Sequence, residues 1–84
     1  MVSMKNIQTE VDAGYLYQVL AEKEEDPVVA DIFQRMSEIE KGHALAFLKK
    51  NNLNESDLPS PSGRARTLKW IGKILGYDYV LGVL

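Results

Sequence analysis

An all-α chain, an antiparallel helical hairpin followed by a shorter third helix, is predicted from three observations. Two long stretches carry apolar residues at intervals of three and four, an Asp26-Pro27 dipeptide separates them, and a Pro/Ser-rich segment precedes a final apolar run. With 84 residues and 45% hydrophobic content the chain is one thin domain spanning 1–84. Chains this short often need a metal, a disulfide or a partner.

The first helix is expected over residues 5–25. Ile7, Glu10, Gly14, Tyr17 and Ala21 fall on one seam, widened by Val11, Leu16 and Leu20. Asp26 suits an N-cap and Pro27 a first helical position, so a second helix starts there. The short connection makes the pair antiparallel. The second helix is expected over 27–50, with Lys49 and Lys50 complementing the helix dipole and Asn51-Asn52 supplying a left-handed stop. Residues 53–62 read as a loop. A third helix, capped by Ser62, is expected over 63–83, with Leu68, Ile71, Leu75 and Tyr79 on one stripe and Trp70, Ile74 and Tyr77 beside it. Gly72, Gly76 and Gly82 each cost about 1 kcal/mol relative to Ala, which makes this helix the weakest. Its apolar run is interrupted by Lys69, Lys73 and Asp78. A place on a membrane surface is compatible with that pattern, and packing against another helix is the expectation.

Composition excludes several classes. No cysteine is present, so disulfides, thiolate zinc sites and cysteine nucleophiles are ruled out. A net charge of −2 with mixed signs offers no basic field for nucleic acid. The polar amino terminus shows no signal peptide, and the absence of cysteine suits a reducing compartment, so a cytoplasmic location is expected.

The second helix holds the anomaly. Its seam runs Val29, Phe33, Met36, then Glu40 and His43, then Phe47, which places a carboxylate and the chain's single histidine where apolar residues belong. Residues three apart on a helix project together, and an inward carboxylate requires a partner or a metal. The alternative is a drifting seam, with Glu40 at a wet edge and His43 a satisfied core histidine. Glu10 is the matching anomaly of the first helix. Counted from the turn, Glu10 and Glu40 lie about 22 and 21 Å away, level across the hairpin. Two inward carboxylates at one height repel unless a cation or a shared proton lies between them. Gly14 leaves room beside this site. Tyr17 can direct its hydroxyl towards a ligand, or serve as an ordinary core tyrosine. The remaining acids, Asp12, Glu22, Glu24, Glu25 and Glu38, are expected on solvated faces.

On these residues, Glu10-x-x-x-Gly14-x-x-Tyr17 and Glu40-x-x-His43, the chain resembles the ferritin-like superfamily, in particular its rubrerythrin-type branch. The likeness runs from Ile7 to Lys50 and includes Asp26-Pro27 and Phe33. It implies two metal ions, typically iron, inside a four-helix bundle of which each half supplies a Glu and a Glu-x-x-His. After Lys50 no second such set follows, so the chain carries only half of the ligands.

Two routes complete the set. Two copies can each supply Glu10, Glu40 and His43, completing a ferritin-like four-helix bundle by dimerisation, as in the two-helix ferritin-like proteins held inside encapsulin shells. Alternatively the chain is the front part of a longer protein, as in relatives that join such a domain to a membrane iron or manganese transporter.

The expectation is a homodimer or higher even oligomer holding two iron ions per dimer site, with manganese also suited to the ligand set. Fe(II) would be oxidised by dioxygen or peroxide, with no catalytic residues separate from the ligands. The resemblance makes Glu40 a bridging or chelating ligand and Glu10 and His43 terminal ones. Spacing alone does not decide which carboxylate bridges. The contrasting expectation is a non-catalytic dimerising or metal-sensing module in which Glu40 and His43 are hydrogen-bonded polar core residues.

Overall fold

The computed structural model describes residues 4–84, and every regular element among them is helical. α1 spans Met4–Lys23 and α2 Pro27–Lys50. A single 3-10 turn follows at Glu55–Asp57, then α3 over Gly63–Leu75 and α4 over Tyr77–Val83. No described helix is long and apolar enough to cross a membrane.

Local chemistry fixes both ends of α2. The Asp26 side chain accepts hydrogen bonds from the Val28 and Val29 N–H groups, and Pro27 occupies the first turn, where no N–H is needed. At the other end Asn52 takes a left-handed φ of 58°. The Leu53 N–H reaches the Leu48 carbonyl and the Asn52 N–H the Lys49 carbonyl, the paired bonds of a Schellman stop.

α1 and α2 pack antiparallel along a row of small and aliphatic residues. Gly14, Ser37 and Ala44 let the backbones approach, with Ile7 and Leu48 closing the end away from the turn. The buried row of α2 is therefore Ser37, Ala44 and Leu48. This corrects the expected seam: Phe33, Met36, Glu40 and Phe47 are half-buried, and His43 is exposed. The apolar sector of α2 is wide, and small residues decide which part of it faces α1. The larger seam residues are left half-buried at its flanks, Phe33 against the core cluster.

A second correction concerns the last helix. The expected continuous helix over 63–83 is two helices, broken at Gly76, whose φ of 106° and ψ of 150° suit glycine almost alone. The break lets α4 fold back so that Tyr77 and Val80 pack onto Gly72. A Cβ on Gly72 would come within 2.9 Å of Val80 Cγ2. Val80 then joins Leu16, Leu20, Ala65 and Leu68 in the core cluster. Leu75 and Tyr79, expected on the inward stripe, are exposed. Leu16, which widens the apolar face of α1, is covered by this unit.

Asp12 anchors the unit to α1 instead of lying on a solvated face. Its carboxylate accepts the Ser62 N–H at 2.8 Å, the Ser62 hydroxyl at 2.5 Å and the Gln8 amide at 2.9 Å. The Ser62 hydroxyl oxygen in turn accepts the Ala65 N–H and so caps α3. Burial by itself would raise the Asp12 carboxyl. The Ser62 and Gln8 hydrogen bonds and the Arg64 charge outweigh it and hold the carboxyl below its usual range.

Asp12→Ala is expected to cost about 2 kcal/mol at neutral pH, since it removes charge-assisted bonds and leaves donors unpaired. Because the folded-state pKa is depressed, that contribution is present above the unfolded value and disappears as pH falls through the folded one. Urea titrations of parent and variant at neutral and acid pH measure both effects. Gly76→Ala is expected to cost about 1–3 kcal/mol although nothing crowds the position, because the backbone conformation itself is unfavourable for alanine. The same titrations read it.

Candidate metal centre

Glu10 on α1 and Glu40 and His43 on α2 converge at the open edge of the hairpin. Each offers one ligand atom, and the three atoms lie within 4.8 Å of one another. Helical geometry accounts for the meeting. Glu40 and His43 share a face of α2, and the antiparallel pairing brings Glu10 to the same height.

The three side chains are not equally enclosed. The His43 side chain is 59% exposed and that of Glu10 34%, so the site opens outward on the α2 side. A cavity of about 280 Å³ lies beside it, lined by Asn6, Ile7, Thr9, Glu10, His43 and Phe47. His43 Nδ1 stands 3.4 Å from Glu10 Oε2, near enough to attract when the imidazole is protonated. The contact lacks hydrogen-bond geometry, however, and Glu10 Oε2 is buried with no hydrogen-bond partner. A buried carboxylate oxygen without a donor is costly.

The carboxyl pair bears the same mark. The Glu40 carboxyl is pushed up from 4.5 to about 7. Its hydrogen bond with Glu10 is the main cause, which requires a proton on one of the two. Burial and the negative charge of Glu10 act in the same direction, and His43 opposes them. Two hard oxygen donors that share a proton, one donorless buried oxygen and an adjacent imidazole form a donor set suited to a divalent cation such as Fe(II) or Mn(II). The residues present fit the metal that the resemblance implies.

Of the two flanking residues, Gly14 lies directly beneath the carboxylates. A Cβ there would stand 3.4 Å from the Ser37 carbonyl oxygen and 3.5 Å from Glu40 Cβ, in ordinary contact, so any side chain longer than that of alanine would meet α2 here. Tyr17 stacks on Phe33, with ring centroids 6.4 Å apart, and packs against the core cluster. Among the described residues its hydroxyl makes no hydrogen bond to Glu10 or Glu40. Ser37 went unnoticed in the sequence. It is buried, and its hydroxyl donates to the Gly14 carbonyl at 2.7 Å. The available signal was the facing set of small residues, Gly14, Ser37 and Ala44. Glu38 is exposed and within reach only of Gln34.

A family model described as Rubrerythrin matches residues 4–67, the larger part of the chain and the whole of the hairpin. No curated protein and no solved structure matches.

The raised Glu40 pKa gives a pH dependence of definite sign. Between 4.5 and about 7 the folded chain retains a proton that the unfolded chain releases. Stability of the metal-free protein therefore falls as pH rises through that window. Glu40→Gln cannot ionise. It is expected to lose this slope and to be as stable as the parent, or more so, above about pH 7. Chelator-treated melting curves at about pH 5 and about pH 8 check this. A loss of several kcal/mol in the variant at both pH values would make Glu40 a structural hydrogen-bonding residue instead.

Proposed function

Because the chain belongs to the rubrerythrin family, we propose that it is a di-metal carboxylate protein that binds iron and oxidises Fe(II) at a centre shared between two chains. The observation that carries this reading is the convergence of Glu10, Glu40 and His43 at an open edge, with a buried carboxylate oxygen that has no hydrogen-bond partner among the described residues. Alone, three ligands on one side of a site bind a hard divalent cation incompletely. A second copy meeting the first at this edge supplies the same three again, which makes a set for two metals. The apolar residues left exposed on the His43 stripe of α2, Ile39 one turn away and Ile32 about three, give that second copy a surface to cover.

Glu10 and Glu40 are the anionic oxygen ligands and His43 the nitrogen ligand. The Glu10 and Glu40 carboxylates would hold a cation in place of the proton they share, and the donorless Glu10 oxygen would gain a partner, so one ligand would relieve both unfavourable features of the metal-free site. Gly14 keeps the space between the helices free of a side chain. Iron supplies the redox chemistry, Fe(II) giving its electron to dioxygen or peroxide, and manganese suits the same donors.

Metal and assembly are then linked, since a ligand that binds the dimer alone stabilises it by about 2.7 kcal/mol at a hundredfold excess over its dissociation constant. Fe(II) or Mn(II) is expected to raise the melting temperature and to shift sedimentation from the 9.5 kDa chain towards its dimer, with two metals per pair of chains. Chelator should reverse both. Glu40→Gln is expected to slow Fe(II) oxidation by more than about a hundredfold, beyond the usual loss from a ligand's supporting partner. Glu38→Gln, on the exposed face, should behave as the parent. Identical melting and sedimentation with and without metal would instead identify a metal-independent interaction module.

A further inference from the structure

Ser37 is the one buried polar side chain among the described residues, and its exposure is 0%. Its hydroxyl donates to the Gly14 carbonyl oxygen at 2.7 Å, across the α1–α2 contact. This carbonyl already accepts within its own helix, but a carbonyl oxygen has a second lone pair to offer. In stability such a bond brings little net gain, since the hydroxyl must first give up water. What it adds is direction. The contacts of Ile7 and Leu48 hold the helices against each other but resist sliding and rolling only weakly, because apolar contact is non-directional. The hydroxyl–carbonyl bond resists both.

Its position matters. Glu10 lies one turn along α1 from Gly14, and Glu40 one turn along α2 from Ser37, on the same side of the bond. Gly14 and Glu40 are already close, a Cβ at Gly14 falling 3.5 Å from Glu40 Cβ. Ligand groups must be held to within about 0.5 Å for a productive site. The cross-helix contacts of the ligands themselves, Glu40 with Glu10 and His43 with Glu10, are ones that a bound metal would replace. The Lys41–Gln18 contact, at 3.0 Å, is an exposed one between flexible side chains. We infer that Ser37 is a positioning residue of the metal centre: its hydrogen bond to Gly14 sets the register of α2 on α1 and through it the separation of Glu10 and Glu40. This rests on the metal reading above.

The test uses Co(II), whose visible absorption reports ligand number and geometry, alongside melting of the metal-free proteins. Ser37→Ala removes the hydroxyl. Ser37→Cys keeps the size but offers only a weak donor. Both are expected to weaken Co(II) affinity by about tenfold or more and to change the absorption envelope, as loss of a ligand's supporting contact does. Val80→Ala, in the core cluster between α1 and α4, is the stability control. It should lower the melting temperature at least as much as Ser37→Ala yet keep the parent's affinity and spectrum. Parent affinity and an unchanged spectrum in Ser37→Ala, or an affinity loss in Val80→Ala that tracks its melting temperature, would overturn the positioning role while leaving the metal centre standing. A parent protein that takes up no Co(II) would remove the centre itself, and the positioning role with it.

Discussion

Two helices come close only where side chains are small, and in this chain that condition is met along Gly14, Ser37 and Ala44. Everything else about the hairpin follows from that row. It draws the facing backbones together at mid-length and leaves the larger residues of α2 half-buried at its flanks, Phe33 against the core cluster and Met36 and Phe47 away from it. It also leaves Glu40 beside Glu10, with burial deep enough to make charge costly and shallow enough for an ion to enter. Deeper, and the pair would be held neutral in an apolar core. At the surface, water would solvate both and neither would have reason to bind anything.

The helical class was legible because its signals are local. A cap, a proline at a first turn, an Asn-Asn stop and spacings of three and four each act within a few residues. The meeting of Glu10, Glu40 and His43 was legible for a related reason: two antiparallel helices joined by a short turn act as rulers, and counting from the turn gives height. What counting cannot give is rotation. The apolar sector of α2 is wide, and periodicity says only that some part of it faces inward. Side-chain volume made the choice, turning the contact towards Ser37 and Ala44 and leaving His43 outside. Asp12 was unreadable for another reason. Its partner is 50 residues away, and nothing near it marks a charged residue on a helix as an anchor.

The carboxylate pair also separates two demands on a small protein. Core cohesion is supplied by Leu16, Leu20, Ala65, Leu68 and Val80, gathered between α1 and the α3–α4 unit. Glu10, Glu40 and His43 belong to the other side of α1 and to the far half of α2. A polar centre that opposes folding is tolerable there because the cohesive residues lie elsewhere, and the two are joined through the rigid body of α1.

The break at Gly76 has a consequence for how the chain opens. α4 has seven residues, too few to persist as an isolated helix in water, so it exists by virtue of its contact with Gly72 and the cluster around Val80. A single glycine joins it to α3. Undocking α4 therefore exposes Val80 and uncovers Leu16 and Leu20 without disturbing the hairpin, a partial opening with its own free energy. In amide hydrogen exchange, α4 is expected to open early, and the central turns of α1 and α2 to exchange only through global unfolding. Among the described helices, α4 is then the one that solvent and proteases would reach first, well away from the carboxylates.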